Sequence, residues 1–421
     1  MSVNPTESVA DWIDDWIAAN WSLEITLAEW WRRLFEAGLT FPTWPTGLGG
    51  FGADPAQTRA IGAALGAAGV IGPPSGNGPN MGGPTLIAHA TAEQQHRFLP
   101  PIALGEHQWC QLFSEPGAGS DLASLATKAE RDGEEFVVTG QKVWNSRAEV
   151  SGWGMLLART DPDVPKHRGL SFIMLDMDQP GIEVRPLVQM NGAAEFCEVF
   201  ITEARAKVTD VIGAINDGWN VARTTLTHER AGAASGRSRG LVDIAAGGIA
   251  GNLGRSVGEL IEQAASAARD PKKRFEVMLN SRTMIALAKS TGAAADPARR
   301  DQLMRFHVNS EIYRLTGLRS RDLARSKQPG PDGSMLKLWL AMLSHQSRDL
   351  SLAMLGAEGM LIDDDARDGG RIQRAGLSAF APSLGGGTNE IQRNILGERT
   401  LGLPREPGND NDIPFRDLRR S

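Results

Sequence analysis

Only two cysteines, Cys110 and Cys197, occur in the 421 residues. Two thiols cannot staple a chain of this size, which points to a reducing compartment and to both sulfurs acting as small buried hydrophobes. A basic excess is also lacking: 44 lysines and arginines stand against 50 acids, for a net charge of −6. Nucleic-acid binders carry the opposite balance, so that class is set aside. Long apolar runs are missing. The longest stretch without Asp, Glu, Lys or Arg, 60–92, holds eight glycines and four prolines, which excludes one membrane-spanning helix. The first residues show no basic segment leading into an apolar core, so no signal peptide is expected and the chain is expected to be cytoplasmic. No phosphate-binding P-loop is present, and the seven histidines show no paired ligand spacing, so no metal site is expected.

What is present is an ordinary globular composition, 41% hydrophobic and 22% charged, at a length that fits roughly two to three domains. Three regimes follow one another. Up to 108 the chain reads as helix: Trp12, Trp16, Trp30, Trp31 and Leu34 recur at helical spacing and are expected to pack amphipathic helices together. A further helix is expected over 58–70 after Asp54-Pro55, and another from Glu93 to Phe98-Leu99-Pro100. From 109 to 222 short apolar runs (136–139, 155–158 and 170–175), separated by turns such as Asp132-Gly133 and Gln179-Pro180-Gly181, read as a small antiparallel barrel or sandwich. From about Ala222 helix returns and is expected to continue through Ala265. Gly232, Gly236 and Gly240 lie four apart there, each costing about 1 kcal/mol relative to alanine, so a close neighbour is expected on that face. Further helices are expected over 298–326, 334–356 and 389–400, with an extended or disordered tail at 404–421. The expected domains are therefore 1–108, 109–222 and 223–403.

One glycine pattern misleads. Gly47, Gly49 and Gly52 spell a dinucleotide fingerprint, but Pro42 and Pro45 replace the strand that should precede it, and no acid follows at the required distance. The informative stretch is Gln111-Leu-Phe-Ser-Glu-Pro-Gly-Ala-Gly-Ser-Asp121, a turn with backbone N–H groups and two hydroxyls free to meet a ligand. Gly140-Gln-Lys-Val-Trp-Asn-Ser-Arg147 follows. Residues two apart in a strand share a face, so Trp144 and Ser146 could cover and hydrogen-bond one flat ligand.

Together with Gly385-Gly-Gly-Thr-Asn-Glu-Ile-Gln-Arg-Asn-Ile-Leu-Gly397, these segments resemble the acyl-CoA dehydrogenase family, and the likeness covers nearly the whole chain. It implies that family's three-part α+β fold: a helical N-terminal domain, an antiparallel β-barrel middle domain and a C-terminal helical bundle. It also implies FAD, an acyl-CoA substrate and α,β-dehydrogenation. Carried over by motif, Gln111, Phe113, Ser114, Gly119 and Ser120 would line the flavin and the substrate entrance. Trp144, Asn145 and Ser146 would lie against the ring, with Ser146 near flavin N5. Thr388 and Glu390 would meet the cofactor from the terminal loop, and Ser120, Arg230 and Gly386 would meet the substrate.

Many family members carry a catalytic glutamate where this chain has Gly386. Others place it on the first helix of the C-terminal domain, where this chain offers Glu229 in Leu226-Thr-His-Glu-Arg230. Glu229 is therefore the expected base, with Arg230 holding the helix start. The arginine-aromatic-glycine motif that reaches the neighbouring subunit's cofactor is not recognisable between 260 and 300. The basic stretch 299–327 is expected to be a solvated helix face. The resemblance further implies a homotetramer or dimer, or a hetero-oligomer with a paralogue, and an electron-transfer flavoprotein as electron acceptor. An acyl-CoA oxidase and a non-catalytic subunit remain as rival readings.

Overall fold

The computed structural model describes residues 9–235, 244–269, 277–325, 331–405 and 412–418. Five helices come first: α1 (Val9–Asn20), α2 (Leu27–Glu36), α3 (Pro55–Ala67), α4 (Gly83–His89) and α5 (Ala92–Ala103). Their starts are chemically marked. Asp54 and Gln57 form a reciprocal cap on α3, and Thr91 and Gln94 form one on α5, each satisfying backbone donors that no helical partner reaches. Trp30 and Trp31 are buried, and their indole N–H groups donate to Ile71 O at 2.7 Å and Gly72 O at 3.0 Å. The tryptophans are thus packing residues whose polar edge is satisfied. Gly47, Gly49 and Gly52 all sit at positive φ in a turn beside Trp44, a structural bend with no strand or helix of a nucleotide fold.

The middle region is one sheet of β1 (Trp109–Leu112), β2 (Lys128–Asp132), β3 (Glu135–Ser146), β4 (Trp153–Arg159), β5 (Leu170–Asp176), β6 (Ile182–Leu187), β7 (Phe196–Lys207) and β8 (Val211–Ile212). The strand order is β6-β7-β3-β2-β4-β5-β8, with β1 added on β4. The pairs along this path are antiparallel except at β4, which runs parallel to β1 and β2. The expected all-antiparallel arrangement is corrected there. Neither β1 nor β2 is joined to β4 by a hairpin, so both can lie alongside it in the same direction, while β5 pairs with it antiparallel. β4 and β5 are buried on both faces, which is why they read as continuous apolar runs. Met155, Leu157, Phe172 and Met174 pack toward the helices, while Leu156, Ala158, Ile173 and Leu175 fill the sheet's own core. Cys110 and Cys197 belong to that second core as free, buried thiols; burial pushes Cys110 up to about 12.

The C-terminal part holds α6 (Gly218–Ser235), α7 (Val257–Arg269), α8 (Ser281–Ser290), α9 (Pro297–Arg325), α10 (Asp332–Leu355), α11 (Arg371–Ser378), α12 (Ala381–Leu384) and α13 (Asn389–Ile395). Two expectations are corrected. Helix does not continue from 222 to 265: residues 244–256 are irregular, with Gly247 and Gly251 at positive φ. This segment and α7 also leave the bundle. Ile244, Ala246, Val257 and Leu260 join the N-terminal core around Trp30, and Val257 N donates to Ile25 O at 3.0 Å. Gly236 and Gly240 lie outside the described residues, as does the side-chain environment of Gly232. The tail is anchored over 412–418 rather than loose: Phe415 is buried, its N–H donates to Val164 O, and the Arg159 guanidinium stacks 3.8 Å from its ring centroid.

Candidate active site

Glu229 is carried by α6, and α6 is held rigidly. Gly218 starts the helix so close to β5 that a Cβ there would lie 2.4 Å from the Ser171 carbonyl carbon. Thr85 and Thr225 share a buried hydroxyl hydrogen bond of 2.9 Å, and His89 Nε2 meets Thr224 Oγ1 at 2.7 Å. One turn further on, Glu229 enters the wall of a cavity of about 300 Å³. The cavity lies between α6, α9, α10 and the terminal loop, with Tyr313, Leu336, Leu340 and Gly386 among its walls. Burial raises the Glu229 pKa above the usual carboxylate value, against the opposing pull of the Gln111 amide and the Arg230 charge. Gln111 Nε2 donates to Glu229 Oε2 at 3.3 Å. A half-buried carboxylate with one neutral donor is a competent proton acceptor.

Arg230 also lines this cavity, and its guanidinium donates to Thr227 Oγ1 at 3.2 Å. It does not hold the helix start, because α6 begins at Gly218 and Arg230 lies in its later half. On the terminal loop, Gly386 and Gly387 both take positive φ, and a Cβ on Gly386 would meet nothing. Gly386 therefore adds no side chain to the wall it shares with Glu229. Two residues expected at the cofactor are used differently. Thr388 caps α13, its hydroxyl accepting from Ile391 N at 3.3 Å. Glu390 is exposed in the first turn of α13 and paired with Arg393. Hydrogen bonding from its own N–H at the helix start holds its carboxyl below the usual range.

The loop after β1 is a tight turn in which Glu115 and Ala118 exchange backbone hydrogen bonds. Its anchor is Lys142, which sequence reasoning missed. The fully buried ammonium donates to Phe113 O at 3.0 Å, Leu157 O at 2.9 Å and Glu115 Oε1 at 2.8 Å. The Glu115 carboxylate also accepts from Ala126 N and Thr127 N. The motif glutamate and lysine are thus internal scaffolding, and only their mutual approach across the fold shows it. Val143 N donates to Ser114 O at 3.0 Å, fixing Ser114, which is half-buried, while Gly119 and Ser120 are exposed. Phe113 is corrected: its side chain lies in the core against Phe172.

Trp144 sits in a β-bulge at φ 65°, between the register positions of Lys142 and Asn145. The bulge breaks the simple alternation, since Lys142 and Val143 are both buried, yet Trp144 is 55% exposed and Ser146 half-buried. Asn145 between them is buried: Nδ2 donates to Gln111 O at 2.6 Å, and Oδ1 lacks a protein partner among the described residues. An indole held outward edge-on to Phe196, with hydroxyl and amide groups beside it, fits a flat heteroaromatic ligand.

Comparison with known proteins places the whole architecture. The acyl-CoA dehydrogenase N-terminal, middle and C-terminal domain models match residues 6–106, 110–204 and 278–401. Acyl-CoA dehydrogenase IpdE1 of Mycobacterium tuberculosis is 40% identical over 377 residues, covering 90% of this chain and 88% of that protein. A solved structure named Tcur3481-Tcur3483 steroid ACAD superposes with a TM-score of 0.66 at 24% identity, covering 96% of this chain and 100% of that one. The ChsE4-ChsE5 complex of Mycobacterium tuberculosis superposes with a TM-score of 0.63 at 25% identity, covering 96% and 100%.

Proposed function

The chain belongs to the acyl-CoA dehydrogenase family and is an oxidoreductase; from that premise we propose that Glu229 is the base of an α,β-dehydrogenation of an acyl-CoA thioester. The observation that carries this reading is Glu229 in the wall of a cavity that Gly385 and Gly386 of the terminal loop also line, Gly386 without a side chain or a close neighbour. FAD, when bound, supplies the two-electron acceptor that takes the β-hydrogen as hydride at its N5. Trp144 would cover its ring, while Ser114 and Ser146 would supply hydrogen bonds to it. Glu229 takes the α-proton, the electron pair of that C–H bond becomes the new C=C bond, and the product is the trans-2-enoyl thioester. Gln111 orients the carboxylate, and a backbone N–H of the terminal loop, which needs no side chain, steadies the thioester oxygen as charge develops on it. Closing the acyl group over Glu229 removes water and favours proton uptake by the carboxylate.

The acyl group we assign is branched or ring-containing. A wall without side chains at Gly386 leaves room beside the α carbon, and relatives are named for steroid and cyclohexane-1-carbonyl substrates. The electron acceptor we assign is an electron-transfer flavoprotein. Met304, Val308, Ile312 and Leu315 form an exposed apolar stripe along α9, which supports assembly with a second copy or a paralogue. No helix among the described residues is long and apolar enough to cross a membrane.

The test is spectroscopic. The chain is purified with FAD and titrated anaerobically with straight, branched and cyclic acyl-CoA thioesters. The expected result is flavin bleaching, faster with branched or cyclic substrates than with butyryl-CoA by about tenfold. No bleaching by any thioester would contradict the reading, and peroxide formed stoichiometrically under air would assign an oxidase instead.

A further inference from the structure

The glycine loop that shares a cavity wall with Glu229 has no side chains of its own by which to be held. Gly386 and Gly387 both take positive φ, and a Cβ added at Gly386 would meet nothing within 4 Å. Successive glycines give backbone its greatest conformational freedom. The loop's entry is fixed from α12, where Gly385 N donates to Ala381 O at 2.9 Å and Ser383 Oγ lies 2.8 Å from His345 Nε2 on α10. Its exit is fixed by Thr388, the cap of α13. Between these points the hold comes from Gln392, one turn into α13 and also on the cavity wall. Gln392 Nε2 donates to Gly386 O at 2.9 Å. A Cβ on Gly387 would lie 2.9 Å from the same nitrogen, so the amide is packed against the loop. The side chain is buried, and its Oε1 has no partner among the described residues.

A buried amide with one unsatisfied end is an unfavourable way to fill space, since an apolar side chain of similar shape would leave no orphan of its own. What the amide adds is the bond to the loop. The peptide between Gly386 and Gly387 is planar, so anchoring its oxygen fixes the whole plane and restrains the residue through which the loop turns. We propose that Gln392 is a positioning residue for the reaction: it holds the terminal loop so that a backbone N–H there is already aimed at the thioester oxygen when negative charge develops on it. Donors fixed in advance stabilise such charge without reorienting during the reaction. The inference rests on the reading of Glu229 as the base in this cavity and goes beyond it by naming the residue that sets the loop's geometry.

The probe is cyclohexylthioacetyl-CoA, in which sulfur takes the place of the β carbon and leaves no β-hydrogen to depart as hydride. The reaction then halts at the α-anion, whose contact with oxidised flavin gives a long-wavelength charge-transfer band. The band is followed against pH at saturating thioester in the FAD-loaded wild type, Gln392→Met and Gln392→Glu, with FAD content and melting temperature measured alongside. Methionine removes the donor, and glutamate keeps the shape while setting a carboxylate against the Gly386 carbonyl. The expected result is that both variants retain FAD but need a pH about one unit higher to half-form the band, a tenfold loss in the ionisation constant. Flavin reduction by cyclohexane-carbonyl-CoA should slow about tenfold in kcat with little change in KM. A lowered melting temperature with the band and kcat unmoved in both variants would overturn the proposal and leave Gln392 a packing residue. No band at any pH in the wild type would overturn the reading of Glu229 as acceptor of the α-proton, and the proposal with it, so the two failures are distinguishable.

Discussion

The Gln111 side-chain amide donates to Glu229 Oε2 at 3.3 Å, joining the first strand of the sheet to the later half of α6. The two residues are 118 positions apart, yet each is fixed from behind. Gln111 lies in β1, where its carbonyl also accepts from the buried Asn145, and α6 is bolted to α4 through Thr85 and His89. The Glu229 carboxylate is therefore positioned by two rigid elements, which is what the proposed base needs if it is to meet a C–H bond at a defined angle.

The first prediction follows from that bond. Glu229 acts only as the carboxylate, and burial raises its pKa, so kcat/KM should rise with pH through a limb displaced upward from the ordinary glutamate range. The Gln111 hydrogen bond opposes this shift. Gln111→Leu removes it and should move the acid limb further up, with the lost rate recovered at higher pH. A pH profile of flavin reduction checks this; an unchanged or downward-moving limb would show that Gln111 does not govern the carboxylate.

A second prediction concerns the buried Lys142–Glu115 pair. Lys142→Met strands the Glu115 carboxylate and frees three acceptors, a change expected to cost about 3–5 kcal/mol and to loosen the turn around Ser114. Lys142→Met combined with Glu115→Leu leaves no unpaired charge and should lose less than the single lysine change. Calorimetric melting with the flavin absorbance as a second readout tests both statements. Equal melting temperatures for the wild type and Lys142→Met would contradict them.

Much of this fold was legible in the sequence for local reasons. The reciprocal caps at Asp54 and Thr91 mark helix starts within a few residues, and the two-sided burial of β4 and β5 produces apolar runs that cannot be mistaken for loop. Glu229 was singled out because the resemblance leaves the terminal loop at Gly386 without a carboxylate, and the structure places it in the wall of a cavity. What the sequence concealed depends on contacts between distant segments. Nothing near Tyr313 or Lys337 announces that α9 and α10 wall the same cavity as α6. Thr388 and Glu390 read equally well as ligands or as an N-terminal helix signal, and the structure spends Thr388 as a cap. Gly247 and Gly251 break a sequence that otherwise looks helical, and contacts with distant residues, such as Val257 with Ile25 and Ile244 in the core around Trp30, show where that segment goes.

A third prediction addresses assembly. The exposed stripe Met304, Val308, Ile312 and Leu315 is expected to be covered in solution, so Val308→Glu with Ile312→Glu should shift the protein to a smaller species in analytical ultracentrifugation. A wild-type monomer, or an unchanged sedimentation coefficient in the variant, would remove this face from the interface.

The central claim is that Glu229 removes the α-proton, and anaerobic stopped-flow reduction of the bound flavin by a saturating acyl-CoA tests it most directly. Glu229→Gln keeps the side-chain shape and the approach of Gln111 while removing the acceptor. The account predicts a variant that binds FAD and thioester but reduces its flavin about 10² to 10⁴ times more slowly than the wild type. Reduction at a near-normal rate in Glu229→Gln would contradict it.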